Sequence, residues 1–301
     1  MKDELSILIP IYNFDCTEMI EGLCRQADCL DSQGISRIEI IAAEDGSDNQ
    51  FALKRNAVMA EWPRCRYIIR DKNVGRSAIR NYLATQANYK WILFLDCDMQ
   101  LPDEQFIKRY LDSDGTGIVD GGFGVIRNDS MKGRNLRYTY EWVEQTNHSV
   151  EERSKNPYRS FRTTNFMIRR DIILAHPFDE RFLHYGYEDV LFGKVMKQNN
   201  ITILHIDNPM MLADLESNTA FMQKTEESLH TLYTFRNELR GFSKLLTFVD
   251  GIHFRLAYHT LCLWHKLFGR LERKILCGKH PRLSVFKLYK VGYYMTITNK
   301  Q

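Results

Sequence analysis

The sequence predicts an α/β fold with a mostly parallel central sheet flanked by helices, followed by a basic helical segment. Strand and helix patterns alternate through the first half of the chain, which is how a parallel sheet with crossover helices is written. The run Trp91-Ile92-Leu93-Phe94-Leu95 is apolar throughout, as expected of a strand buried on both faces. It ends in Asp96-Cys97-Asp98, which puts two carboxylates at the sheet edge where open α/β folds bind ligands.

Residues 5–11 form the first expected strand, stopped by Pro10 and Asn13. Asp15 and Glu18 have capping-box spacing, and Met19, Ile20, Leu23, Cys24 and Ala27 recur at helical spacing. A second strand at 38–42 runs into Glu44-Asp45-Gly46-Ser47-Asp48. Then come a helix at about 50–60, a short strand at 67–69 and a helix over 75–88. Past Asp98, Pro102 is expected to open a helix, 118–125 a glycine-interrupted strand, and 131–159 a polar stretch. Residues 166–168 and 201–206 read as strands, 189–196 as a helix opening and 219–239 as a long amphipathic helix. The expected division is a body at 1–240 and a tail at 241–301.

With 301 residues, 44% hydrophobic and 26% charged, the chain is long enough to bury a full core and has an ordinary globular composition. No apolar run approaches the roughly 20 residues of a spanning helix, and the N-terminal Met1-Lys2-Asp3-Glu4 lacks the pattern of a secretory signal. Lys2-Asp3-Glu4-Leu5 resembles a retention tag at the wrong end of the chain. The seven cysteines are scattered and include no Cys-x-x-Cys pair, which favours reduced thiols over disulfides or zinc and predicts a cytoplasmic location. From Arg240 onward twelve Lys/Arg face two acids, a net of +10, so the overall +3 leaves −7 for the remainder. The tail mixes Leu245, Leu246, Phe248, Val249, Ile252, Leu256, Leu263 and Leu267 with these cations. Two readings follow: a helical appendage packed on the body, or an interfacial helix on an anionic membrane surface. Without a recognisable binding motif in the tail, no nucleic-acid partner is expected.

Strand C-termini share one edge in a parallel sheet, so Asn13, Glu44-Asp45-Gly46-Ser47 and Asp96-Cys97-Asp98 should converge. Asp-x-Asp alone also fits a turn capping the next helix. Together the three clusters make a pocket for a divalent cation and a polar ligand such as a diphosphate.

The ordered set Ile7-Leu8-Ile9-Pro10-Ile11-Tyr12-Asn13, Glu44-Asp45-Gly46-Ser47, Asn73-Val74-Gly75 with Ala78-Ile79-Arg80-Asn81, Asp96-Cys97-Asp98 and Gly186-Tyr187-Glu188-Asp189 resembles family 2 glycosyltransferases over about residues 5–240. Residues 162–170 and Phe178-Asp179-Glu180 resemble the family's acceptor side. The resemblance implies a Rossmann-like GT-A fold and inverting transfer of a hexose or N-acetylhexosamine from a UDP-sugar donor to a glycan or lipid-linked glycan acceptor. It assigns nucleotide-sugar binding to Pro10, Tyr12, Asn13, Glu44, Asp45, Asn73, Arg76, Arg80, Asp96, Cys97 and Asp98. It makes Asp189 the general base with Glu188 orienting, and gives acceptor contacts to Asn165 and Tyr187. Mn²⁺ or Mg²⁺ is implied on Asp98, with Asp96 beside it.

Relatives often place a His ligand near an Asn-Pro and before a Leu-Glu pair. Leu212 stands at that position here, leaving His205 or Asp214 as substitutes, or a metal held by Asp98, phosphates and water. A second reading is a non-catalytic UDP-sugar-binding subunit assisting a partner transferase. The implied location is cytoplasmic, peripheral on the cytoplasmic face of the membrane.

Overall fold

The structure, a computed structural model, describes residues 2–34, 37–212, 215–252 and 255–298. The first elements are β1 (Glu4–Ile11), α1 (Thr17–Ser32), β2 (Arg37–Asp45), α2 (Gln50–Asn56), β3 (Cys65–Arg70), α3 (Arg76–Gln86), β4 (Trp91–Leu95) and β5 (Met99–Gln100). Next come α4 (Phe106–Asp112), β6 (Ile118–Asp120), β7 (Phe123–Val125), α5 (Leu136–Glu144), α6 (Val150–Lys155), α7 (Pro157–Ser160), β8 (Asn165–Arg169) and α8 (Arg170–Ala175). The chain continues with α9 (Glu188–Gln198), β9 (Ile203–His205), β10 (Met210–Leu212), α10 (Asn218–Thr234), α11 (Arg236–Leu239), α12 (Lys244–Asp250), α13 (Arg255–Leu276) and α14 (Leu283–Thr298).

The chain divides into two compact units. The first comprises Met1–Gly124, Asn147–Leu183 and Val195–Asp214; the second comprises Val125–Thr146, His184–Lys194 and Leu215–Gln301. The expected break at residue 240 does not coincide with this division. Leu276, Phe286 and Tyr289 from the tail share one core with Leu136 and Met222, so the tail cannot be separated from the helices before it.

The first unit holds a seven-stranded sheet in the order β3-β2-β1-β4-β8-β6-β9. β1, β2, β3 and β4 are parallel, and β8 runs antiparallel between β4 and β6. The continuous apolar runs follow from burial on both faces: Ile7, Leu8, Ile9, Ile40, Ile41 and Ile92 are wholly buried. Each such side chain contributes about 1.5–3 kcal/mol by leaving water. β1 pairs with β4 only as far as Leu8 opposite Phe94, whereas its pairing with β2 continues to Ile11. Pro10, which has no N–H to give a ladder, lies past the end of the β4 pairing, so β1 and β4 part at their C-terminal ends.

Three local expectations change. Asp15 accepts from the Thr17 backbone N–H (3.1 Å) and hydroxyl (2.6 Å), so the capping box with Glu18 does not form and α1 starts at Thr17. The helix expected at Pro102 begins at Phe106. The strand expected over 118–125 splits into β6 in the large sheet and β7 in a three-stranded sheet ordered β5-β10-β7. The cause is Gly121-Gly122: Gly122 has φ +78°, and a Cβ on Gly121 would lie 2.3 Å from the Tyr110 hydroxyl.

The second unit is helical. Besides the shared apolar cluster, Glu226 on α10 accepts from Arg273 Nε and the Tyr289 hydroxyl, each at 2.7 Å. A Cβ on Gly292 would meet His265 Cβ at 2.6 Å, so α13 and α14 approach closely at a glycine. Leu256, Leu263 and Leu267 on α13 remain exposed. No helix among the described residues is long and apolar enough to cross a membrane.

Candidate active site

β2, β1 and β4 are neighbours in the sheet and parallel, so their C-terminal ends share one edge, although β1 and β4 diverge there. Asn13 joins the first two. Its backbone takes φ 55°, its N–H donates to Ser47 Oγ (2.9 Å), and its side-chain oxygen accepts from the Asp48 and Asn49 N–H groups (2.9 Å each). Asn tolerates this left-handed backbone because its short polar side chain bonds locally. The Tyr12 ring, half exposed beside it, offers a large aromatic surface at this edge of β1.

Asp45 is the last residue of β2. Its two carboxylate oxygens accept from the backbone N–H groups of Val74 (3.0 Å) and Gly75 (3.1 Å). Burial raises its pKa above the ordinary 3.8, and those two N–H donors work against the rise. Gly46 makes the approach of this loop possible: it has φ +68°, and a Cβ there would fall 2.1 Å from the Asn73 nitrogen. Asn73 is exposed on the same loop, its side-chain oxygen accepting from Gly75 N–H at 3.1 Å, and Arg76 opens α3 with an exposed side chain.

Glu44 does not reach the site surface. It is wholly buried and accepts from Asn56 Nδ2 (2.8 Å), the Tyr67 hydroxyl (2.8 Å) and Ser47 Oγ. Three donors on one buried carboxylate make it a brace for the loops around the pocket rather than a contact to a ligand. This corrects its assignment to nucleotide binding. Neither Asn56 nor Tyr67 carried any sequence signal of that role.

The Asp96-Cys97-Asp98 turn follows β4. Asp96 N–H donates to the Thr164 carbonyl (2.9 Å), and Asp96 Oδ1 accepts from Arg80 Nη2 at 2.7 Å. Arg80 is almost fully buried, so it acts through Asp96 rather than as a solvent-facing phosphate ligand. The Cys97 thiol faces the Tyr12 N–H, and burial first, then the Asp98 charge, pushes its pKa far up, which keeps it protonated. Asp98 is half buried.

Among the described residues no group of three His, Cys, Asp or Glu gathers to hold a metal. The residues nevertheless fit Mn²⁺ or Mg²⁺ of the kind that keeps waters and substrate oxygens in its shell, since carboxylates at a half-exposed turn supply hard oxygen donors. Leu212 pairs with Met99, the residue after Asp98, and its side chain is buried. The aliphatic residue thus sits beside the turn where the resemblance implies a His ligand. Asp214 lies outside the described residues.

His205 is removed from the ligand set by its own bonds. Its Nε2 donates to the Pro157 carbonyl (3.0 Å) and its Nδ1 accepts from Arg153 Nη1 (2.8 Å), so both ring nitrogens are used. Burial lowers its pKa, in keeping with a neutral ring. Asp120, 3.4 Å from Nδ1 and 3.2 Å from Arg153 Nη1, completes a buried cluster that ties β6 and β9 to α6. Asn165 is likewise a core residue. Its Nδ2 donates to the carbonyls of Gly122 (2.9 Å) and Asn208 (2.8 Å), and its Oδ1 accepts from the Tyr110 hydroxyl (2.6 Å). Both amide hydrogens are thus spent in the core and the side chain is almost wholly buried, out of reach of an acceptor, which corrects that assignment.

Glu188 and Asp189 belong to the second unit and open α9. Two left-handed residues precede them, Gly186 at φ 97° and Tyr187 at φ 70°. A non-glycine residue in that region is strained and is found where the surroundings hold it in place. Glu227 and Thr231 on α10 supply part of that hold, Glu227 accepting from the Tyr185 N–H (3.2 Å) and Thr231 donating to the Tyr185 carbonyl (3.1 Å). Glu188 is buried, whereas Asp189 is half buried with Oδ1 accepting from the Val190 N–H at 2.8 Å.

Comparison with known proteins bears on the family and the fold. A chondroitin synthase of Escherichia coli is 25% identical over 228 residues, covering 64% of this chain and 32% of its own length. An uncharacterised glycosyltransferase of Haemophilus influenzae is 29% identical over 105 residues, covering 35% of this chain and 40% of its own. The chain therefore spans about a third to two fifths of these relatives. Among solved structures, Staphylococcus aureus TarS 1–349 superposes over 100% of this chain and 92% of its own, with TM-score 0.51 and 17% identity. The mannosyltransferase PcManGT of Pyrobaculum calidifontis, solved with GDP-Man and Mn²⁺, gives TM-score 0.54 at 10% identity over 100% of this chain and 87% of its own. Both share the α/β architecture of a mostly parallel sheet flanked by helices. The model of glycosyl transferase family 2 matches residues 6–176, more than half the chain. The protein thus belongs to glycosyl transferase family 2, a family of transferases.

Proposed function

We propose that the protein is an inverting glycosyltransferase moving a hexose or N-acetylhexosamine from a UDP-sugar to a glycan or lipid-linked glycan. The observation that carries this reading is the Asp45 carboxylate, fixed by the Asn73-Val74-Gly75 loop, at the same sheet edge as Asp96-Cys97-Asp98. Asp45 accepts the uracil N–H, and Pro10 and Tyr12 supply a flat apolar surface for the base. Asn73 and Arg76 border the phosphates, a guanidinium suiting phosphate oxygens. Asp96, held by Arg80, would meet the ribose or the cation's outer shell, and Asp98 would hold Mn²⁺ or Mg²⁺. When bound, that cation neutralises charge on the departing diphosphate.

Asp189 takes the proton of the acceptor hydroxyl as its oxygen attacks the anomeric carbon, and a single displacement inverts the configuration. Glu188 orients Asp189 or the acceptor, and Tyr187 stacks on the acceptor sugar. Residues 241–301 keep the protein at an anionic membrane surface on the cytoplasmic side, where lipid-linked acceptors and surface glycans are built.

A calorimetric titration of UDP and GDP, with and without Mn²⁺, tests the donor side; Mn²⁺-dependent UDP binding is expected. On the acceptor side, Asp189→Asn should abolish transfer and leave UDP binding intact, and normal transfer by that variant removes Asp189 as base. Leu212 favours one second reading, a UDP-sugar-binding subunit without catalysis. A tight UDP complex that neither transfers nor hydrolyses any donor in a panel supports that alternative.

A further inference from the structure

We infer that α13 is an in-plane docking helix for an anionic lipid bilayer and that one face of it enters the bilayer surface. This deepens the membrane part of the reading above and is independent of the transfer chemistry. Leu256 (81% exposed), Leu263, Trp264, Leu267, Leu271 and Ile275 are all open to solvent. At 100° per residue they fall within an arc of about 100–120° on one side of the helix. The opposite side is committed to the second unit, where Glu272 and Leu276 are buried and His265 packs against Gly292 and Tyr289.

So the apolar stripe does not belong to the core of its own unit. Trp264 donates its indole N–H to Glu272 at 2.8 Å and packs against Phe268, their centroids 4.4 Å apart. With its one polar atom satisfied within the helix, the Trp264 ring is suited to an interface.

Charge selects the occupant. Lys266, Arg270 and Lys274 are exposed: the first two run along one flank of the stripe, and Lys274 lies within its edge, between the angles of Leu263 and Leu267. The one acid between Gly251 and Gln301 is Glu272, which is buried. A second copy docking through this face would bring two acid-free cationic flanks together. An anionic bilayer instead neutralises them while the stripe leaves water, the arrangement of interfacial amphipathic helices. The 22 residues of α13 fail the requirement for a membrane span, so the helix lies along the surface.

The test is co-sedimentation of the full chain with phosphatidylcholine vesicles, with and without phosphatidylglycerol. Binding to the anionic vesicles alone, weakened by salt, is expected. Leu263→Ser/Leu267→Ser should lower the partition constant roughly a hundredfold, from the apolar contribution of two side chains. Lys266→Gln/Arg270→Gln/Lys274→Gln should lower it by a similar factor, at about fivefold per cation. UDP titration of each variant verifies that the donor side is intact and keeps this inference separable from the transferase reading.

Absence of vesicle binding by the parent chain would overturn the inference together with the membrane part of the reading. Equal binding by the leucine variant would overturn the assignment to α13 alone. Sedimentation velocity adds a third arm: a dimer dissolved by the leucine substitutions, without vesicle binding, would make the face a self-association surface and refute the lipid assignment.

Discussion

Gly46→Ala is the most informative single substitution at the sheet edge, because a matched control exists in the same chain. Gly46 and Gly34 have nearly the same backbone, φ +68° and +67°, yet a Cβ at Gly46 would lie 2.1 Å from Asn73 N and 2.4 Å from the Lys72 carbonyl carbon, while none at Gly34 meets anything within 4 Å. Alanine in the left-handed region costs about 1–2 kcal/mol at either site. At Gly46 the neighbour is backbone, so no rotamer change relieves the clash and the loop must retreat by roughly 1 Å or more to reach an ordinary contact. The retreat strains the two bonds from Val74 and Gly75 to the Asp45 carboxylate, each worth about 1.5–3 kcal/mol as a hydrogen bond to a charged group. Loss of about 4–6 kcal/mol is therefore expected at Gly46 against about 1–2 at Gly34. At roughly 2–4 °C per kcal/mol, a melt should fall by about 10–20 °C for Gly46→Ala and by only a few degrees for Gly34→Ala. UDP affinity should drop for the first and stay unchanged for the second. Equal melting shifts, or intact UDP affinity in Gly46→Ala, would refute the argument that this glycine seats the loop on Asp45.

Arg80→Met should cost about 2–4 kcal/mol by leaving Asp96 without its 2.7 Å partner, at the lower end for a buried pair because Asp96 is partly exposed. Adding Asp96→Asn should recover part of that loss in a melt; strictly additive losses would mean the pair is not coupled. Because burial raises the Asp45 pKa above 3.8, its carboxylate gains a proton as pH falls through a value higher than that of a free aspartate. UDP affinity measured by calorimetry should consequently fall in acid before ordinary carboxylates titrate, and Asp45→Asn should flatten that limb of the profile. Gly292→Ala should destabilise the α13–α14 pair by about 1–3 kcal/mol through overpacking against His265; an unchanged melt would show that the two helices separate freely there.

The sheet half of the fold was legible because its signals are local. A short unbroken apolar run such as Ile92 to Leu95, closed by Asp96-Cys97-Asp98, reads as a buried strand, and the polar residues after each strand mark the parallel edge. Roles that depend on partners distant in sequence were not legible. Glu44 and Asp45 are adjacent, chemically alike and both buried, yet one faces three side-chain donors and the other the Val74 and Gly75 N–H groups of a loop, a difference set by Asn56, Tyr67 and Gly46. Asn165 and His205 looked like site residues by motif and type, and each is consumed by hydrogen bonds to the core. Arg153 sits in a stretch that reads as polar surface, but Asp120 and His205 draw it inside. The reversal of β8 between β4 and β6 also leaves no local trace, since an antiparallel neighbour and a parallel one need the same apolar strand.

The interleaved course of the chain sets a timetable for its synthesis. Residues up to 205 include every strand of the large sheet, so that sheet has all its members once β9 has left the ribosome. The helical unit has no such early completion. Leu136 emerges long before Leu276, Phe286 and Tyr289, the residues that bury it together with Met222. Contacts so far apart in sequence carry a heavy loop-closure cost and form late. From the emergence of α5, and then of α10, until α13 and α14 follow, those faces are exposed apolar surface, which is when a chaperone has most to hold and a premature stop does most damage. A chain halted at 240 would retain the sheet and leave those two helices without their cover.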